Sequence, residues 1–231
     1  MDWNTQYRDR IRKSGGGDYL SQVGHTEQGR PISNEQFIEL FNQITDLLTL
    51  APGDTLLDLC CGNGVFTQKL AKRCQTAVGA DLSEDLINIA QTDHAAPNLT
   101  YYACDARHID TLPLPAEPKF SKVLMYAALQ HFGRNDLRGL LQSLWPVTET
   151  GTVFLFGFIP DADLAHQFYD TPERRAERQR RIEEGTDPIG EWWKRDTVKQ
   201  CAEEAGLTCT FAEVPPGHHA ARYRFHAIMQ R

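Results

Sequence analysis

Apolar positions along this chain change their period several times, and each change marks an element. From Ser33 the spacing is helical: Phe37, Leu40, Phe41, Ile44, Leu47 and Leu48 share one face. Ser33 and Gln36 fit a capping box ahead of them, and Pro52-Gly53 ends the run. From Thr55 onward, short apolar runs alternate with helix-length amphipathic segments. The pattern predicts strands over Thr55–Cys60, Thr76–Asp81, Leu99–Ala103, Lys122–Tyr126 and Thr152–Phe158. Helices are expected between them, over Val65–Arg73, Glu84–Asp93 (capped by Ser83) and Asp136–Trp145. A proline-rich loop with Pro113, Pro115 and Pro118 leads into the fourth strand. Strands separated by helix-length segments make a parallel sheet with right-handed crossovers.

The end of the chain breaks this alternation. Residues 161–195 form a charged insertion with TPERRAERQRRIEE and the pair Trp192-Trp193. A helix opening at Asp196 or Thr197 follows, with Val198, Cys201 and Ala205 inward and Gly206 as its stop. Two strand-like runs, Leu207–Val214 and Tyr223–Met229, then meet through PPGHHAAR with no helix between them, which requires an antiparallel hairpin. The fold class expected is therefore α/β: a Rossmann-like, seven-stranded, mostly parallel sheet with helices on both faces and a terminal antiparallel strand. One domain is expected over residues 1–231, divided into an N-terminal lid segment (1–33), a core (34–160), a cap insertion (161–195) and the last helix with its hairpin (196–231). The lid reading rests on Ser14-Gly15-Gly16-Gly17, a flexible joint with aromatics on both sides; a surface tail is the other reading.

Composition narrows the class. With 231 residues, 41% hydrophobic and 24% charged, the chain reads as one soluble domain with a sizeable core. No apolar run approaches the roughly 20 residues a membrane helix needs, so no membrane partner is expected. The first residues lack the apolar middle of a signal peptide. A formal charge of −7 argues against a nucleic-acid partner. The six cysteines show no C-x-x-C spacing, so no metal site is expected, and reduced thiols in the cytoplasm are the simplest reading.

The chemistry concentrates in TLLDLCCGNG, residues 55–64. A strand ends in an acid, a Gly-Asn-Gly turn follows, and a helix begins. That unit seats a nucleotide-like ligand at the carboxyl end of a parallel sheet. Asp81 closes the second strand, where an acid suits two hydrogen bonds to ribose hydroxyls. Gly62 and Gly64 let the backbone approach a ligand closely. The string from Cys60 to Phe66 fails the G-x-G-x-x-G pattern, so the loop need not hold a pyrophosphate.

Together these stretches resemble the class I S-adenosylmethionine-dependent methyltransferases of the small-molecule type. Asp58-Leu59-Cys60-Cys61-Gly62-Asn63-Gly64 is similar to that family's first motif, with Cys60 in place of the usual first glycine. Cys104-Asp105-Ala106 resembles the segment that meets the adenine amino group and a ring nitrogen, and VLMYAALQHF, residues 123–132, resembles the segment ending in Leu-Gln-His. Ser121 stands where the fourth strand often begins with an acid. The resemblance implies S-adenosyl-L-methionine as cofactor and S-adenosyl-L-homocysteine as product. It implies a cofactor site of Asp58, Cys60, Gly62, Asn63, Gly64, Asp81, Leu82, Asp105, Ala106 and Tyr126. Asp58 either meets the methionine amino group or holds its own loop. An NAD(P)-dependent oxidoreductase and a non-catalytic module binding the same cofactor are the alternatives.

Methyl transfer is an in-line displacement that asks mainly for position and a dry site. If a hydroxyl is the acceptor, a base or hydrogen-bond acceptor near it helps. His131 is the first candidate and Tyr126 the second; local hydrogen bonding and core packing are their structural alternatives. Tyr19, His25, Trp192, His218 and Arg222 are the candidates for the acceptor side. The acceptor expected is a small molecule, sugar- or phosphate-bearing, and O- or N-methylation is the reaction. The arginines Arg174, Arg175, Arg178, Arg180 and Arg181 alternate with glutamates, which reads first as a solvated helix face.

Overall fold

A computed structural model describes residues 3–114, 119–187 and 189–231. Pro115 and Pro118 of the proline-rich loop lie outside the described residues. The N-terminal segment forms α1 (Trp3–Ser14), α2 (Tyr19–Gln22) and a small hairpin of β1 (Thr26–Glu27) and β2 (Arg30–Pro31). Helix α3 (Asn34–Leu47) follows, and its capping box is present: Ser33 Oγ accepts from the Gln36 N–H while Gln36 Oε1 accepts from the Ser33 N–H.

The alternating core comprises β3 (Thr55–Leu59), α4 (Thr67–Ala71), β4 (Thr76–Asp81), α5 (Glu84–Asp93), β5 (Leu99–Ala103), β6 (Phe120–Tyr126), α6 (Arg134–Ser143) and β7 (Thr148–Pro160). The insertion carries α7 (Ala165–Phe168) and α8 (Pro172–Glu183), and α9 (Arg195–Glu204), β8 (Thr208–Glu213) and β9 (Arg224–Gln230) complete the chain. The seven-stranded sheet runs β5-β4-β3-β6-β7-β9-β8. Strands β3 to β7 are parallel, and β9 lies antiparallel between β7 and β8. The expected fold class is the one observed.

Period-two alternation sorts the sheet's side chains into two cores. Leu57, Leu59, Val123, Met125, Phe154 and Phe156 pack with α6 and α9 on one face. Leu56, Leu124, Tyr126 and Leu155 pack with α3 and α4 on the other. Trp192 and Trp193 go to opposite cores, as adjacent side chains of an extended segment must.

Element ends differ from the sequence expectations where local bonds decide them. Helix α6 begins two residues before Asp136 because the Asp136 carboxylate accepts from the Gly133 N–H at 2.8 Å, which makes Gly133 the cap. Strand β7 extends to Pro160 through an irregularity in its pairing with β9 between Phe156 and Ile159, where Phe158 takes φ +62°. Such a bulge re-aims a side chain, and here it turns the Phe158 ring toward His25, Tyr126 and His218.

Candidate functional site

The carboxyl ends of β3, β4, β5 and β6 surround a cavity of about 390 Å³. Of the residues expected to hold a cofactor, Asp58, Cys60, Gly62, Asp81, Leu82, Asp105, Ala106 and Tyr126 line it. Asn63 and Gly64 are not among the lining residues. Asn63 is fully buried, and its amide donates to the Tyr19 carbonyl at 2.8 Å and to Gln22 Oε1 at 2.9 Å, so it ties the N-terminal segment to the loop. Gly64 has φ +78°, and a Cβ there would collide with the Tyr101 hydroxyl. At Gly62 a Cβ would stand 2.6 Å from Val23 Cγ1. Packing within the chain itself therefore demands both glycines. Cys60 adopts φ +57°, a left-handed conformation that favours glycine, which is why a glycine suits the position.

Three acids reach the cavity from strand ends. Asp81 accepts the Gly62 N–H and the Ser83 N–H, each at 2.9 Å, so it shapes the loop and opens the following turn. Burial holds its carboxyl above the usual carboxylate range. Asp58 is sealed from solvent, accepts the Thr67 hydroxyl at 2.6 Å, and is pushed up to about 7 by burial, against the pull of that bond. Asp105 faces a cation instead. The Arg107 guanidinium meets it with Nε at 2.9 Å and 3.0 Å, which lowers its carboxyl below the usual range.

The other end of the cavity is closed by α1. Trp3, Asn4 and Tyr7 line it, and the Arg8–Asp85 ion pair at 2.9 Å fastens α1 to α5. Tyr7 and His131 form a pair there: the Tyr7 hydroxyl and His131 Nε2 are hydrogen-bonded at 3.0 Å, and the Trp3 ring centroid sits 3.9 Å from the imidazole. Burial, then the charges of Arg10 and Arg224, lowers the imidazole to about 3, so His131 is neutral at pH 7. Burial pushes the Tyr7 hydroxyl up to about 12. Tyr126 lines the same end, and its hydroxyl is buried without a partner.

Of the acceptor-side candidates, only His25 lines the cavity; it packs on Phe66 and Tyr126 and is lowered to about 3, first by burial. Tyr19 donates to Asp93 at 3.1 Å, outside the cavity. Trp192 is buried against Phe168 and Tyr169. His218 sits behind Phe158 with Nδ1 accepting the Ala220 N–H, and Arg222 is exposed. The arginines of α8 divide: Arg180 and Arg181 pair with Glu177 of the same helix, Arg174 pairs with Asp170, and Arg178 lies over the Tyr169 and Trp192 rings. Arg107 lines the cavity without a role in the sequence reading, and Tyr7 enters that reading only as an aromatic of the lid segment. The one available signal was the i, i+4 spacing of Trp3 and Tyr7, which puts both rings on one helix face.

Residues 56–151 match a family described as methyltransferase domain. By sequence the chain is similar to the 23S rRNA (uracil(1939)-C(5))-methyltransferase RlmD of Photobacterium angustum, 25% identical over 127 residues, 54% of this chain and 56% of that protein. It is also similar to an uncharacterized methyltransferase of Synechocystis, 32% identical over 117 residues, 50% of this chain and 52% of that one. The chain thus spans about half the length of these relatives. Among solved structures, magnesium protoporphyrin IX methyltransferase of Synechocystis with bound S-adenosylhomocysteine (SAH) aligns at TM-score 0.64 and 16% identity over 99% of this chain and 95% of that one. The cyclopropane synthase MmaA2 of Mycobacterium tuberculosis aligns at TM-score 0.66 and 16% identity over 93% and 79%. At these identities the structural likeness shows the fold. The relatives also correct one expectation. Net charge argued against a nucleic-acid partner, yet several relatives are named as RNA methyltransferases. A whole-chain charge sum does not govern what a local surface binds.

Proposed function

We propose that this chain, whose core is a methyltransferase domain of the class I S-adenosylmethionine-dependent family, moves a methyl group onto the oxygen or nitrogen of a small-molecule acceptor. The observation that carries this reading is that one cavity holds two kinds of group. Strand-end acids line it, and so does a half-buried, hydrogen-bonded Tyr7–His131 pair. The acids fit the cofactor: Asp81 suits the ribose hydroxyls, and Asp58, held near neutrality, suits an amino group that restores its charge. Bound there, S-adenosylmethionine supplies an electrophilic methyl carbon on a sulfonium.

The chain's own residues would then do three things. Tyr126, Phe66 and Leu124 keep the transfer point dry, since all three are buried and line the cavity. Trp3 and Tyr7 close it from above. The Tyr7–His131 pair would hydrogen-bond the acceptor atom and hold it in line with the methyl; an imidazole lowered to about 3 keeps a proton poorly, so the acceptor's proton leaves to water with the product. The cavity volume of about 390 Å³ lies at the low end for ligand sites, which favours a small acceptor beside the cofactor. Relatives named as methyltransferases support this reading over an oxidoreductase. No helix among the described residues is long and apolar enough to cross a membrane, and the cytoplasm suits the six free cysteines.

The test is turnover of methyl-labelled cofactor against a panel of small hydroxyl and amine acceptors, with ribosomal RNA as a separate arm. His131→Ala should lose about 10²-fold in kcat, the order that a displaced acceptor costs. Tyr7→Phe should fall in the same direction. Unchanged turnover in His131→Ala removes the pair from the site's work, and label found only in RNA replaces the small-molecule acceptor.

A further inference from the structure

The cavity is electrically lopsided. Among the described residues, Asp58, Asp81 and Asp105 are the carboxylates that line it, and they lie at the strand ends. Around Tyr7, His25 and Tyr126, two guanidinium groups stand one layer behind the wall. Arg10 Cζ lies 5.1 Å from the Tyr7 ring centroid. Gly24, at φ +80° beside His25, leaves it room, because a Cβ there would collide with Arg10 Nη1. Arg224 Cζ lies 4.7 Å over the Phe158 ring, whose centroid is 6.1 Å from His25 and 5.5 Å from Tyr126.

Neither cation is matched by an acid. Arg107 pairs with Asp105, and Arg195 with Asp161 and Glu213. Among the described residues Arg10 and Arg224 form no ion pair; Arg224 Nη1 donates to the Phe158 carbonyl, and its guanidinium also meets the Tyr223 side chain. Two half-buried guanidiniums without counter-charge are costly unless a ligand supplies it. A separate observation points to the same place. The Tyr126 hydroxyl and His131 Nδ1 are buried without partners, and both residues line this end of the cavity. The charges of Arg10 and Arg224 also contribute, after burial, to keeping His25 and His131 neutral.

We infer that this end of the cavity receives an anionic group of the methyl acceptor, a carboxylate or a phosphate, with Arg10 and Arg224 as its counter-charge and the Tyr126 hydroxyl as a donor. The inference deepens the methyl-transfer reading and rests on it for the word acceptor. It does not rest on it for the anion.

Calorimetry with three probes of similar shape tests it: benzoate, phenyl phosphate and uncharged benzyl alcohol, titrated with and without SAH. Wild type should bind at least one anion about tenfold more tightly than benzyl alcohol, the worth of one charge-assisted hydrogen bond. Which anion wins decides between carboxylate and phosphate. Arg224→Gln and Arg10→Gln should each lose that preference while SAH affinity stays within about twofold, and Arg224→Lys should keep most of it. Equal affinity for all three probes, or an undiminished preference in both glutamine variants, overturns the anion site. Anion preference in a protein that ignores SAH supports the site and rejects methyl transfer.

Discussion

Asp58 is 3% exposed, and its carboxyl sits at about 7 because burial outweighs the Thr67 hydrogen bond. That value gives the site a pH dependence with a definite sign. An ammonium group beside Asp58 favours the ionised carboxylate, so binding expels a proton wherever the free protein holds it protonated. SAH affinity should therefore rise by up to about tenfold per pH unit below pH 7 and level off above it. A profile flat from pH 5.5 to 8 would remove Asp58 from the ligand's amino end. Gly64 makes the complementary point about packing. Gly64→Ala places a Cβ against the Tyr101 hydroxyl at φ +78°, and should cost about 2 kcal/mol or more in a denaturant titration. The glycine pattern of the loop was legible in the sequence, but its cause was not. Spacing cannot tell a glycine cleared for a ligand from one cleared for Val23 or Tyr101, which arrive from distant parts of the chain.

Elements were the most legible scale. Strands β4 and β5 and helix α5 fall where periodicity puts them, because each buries one regular face. The hairpin of β8 and β9 followed from the missing helix between them. Helix α1 was harder. It buries none of its residues fully, so its packing leaves no apolar stripe, and its importance lies in two rings laid over the cavity. We propose that residues 1–33 act as a lid hinged at Gly15-Gly16-Gly17. Limited proteolysis should cut at that joint, and SAH should slow the cut several-fold. Removing residues 1–17 should leave a cooperatively folded core that binds SAH more weakly and turns over poorly. A truncated protein with full turnover would make α1 a surface tail. The Tyr7–His131 contact spans 124 positions, and no local pattern encodes such a distance.

At the scale of the molecule, a parallel sheet places the strand-end acids on one rim, and the antiparallel β9 starts at that rim too, with Arg224 beside Pro160 at the carboxyl end of β7. In the proposed reading, one cavity thus has acids for a cofactor and cations behind an acceptor. Net charge averaged over the chain hides that division, and it misled the reading of nucleic-acid partners for the same reason. The central claim is that the acidic rim binds the methyl donor. It is tested most directly by calorimetric titration of SAH into wild type and Asp81→Ala, with circular dichroism to confirm that both are folded. The account predicts saturable binding to wild type and a loss of about thirtyfold or more in the variant, the worth of two hydrogen bonds to a carboxylate. No binding to folded wild type, or equal binding to both proteins, would contradict it.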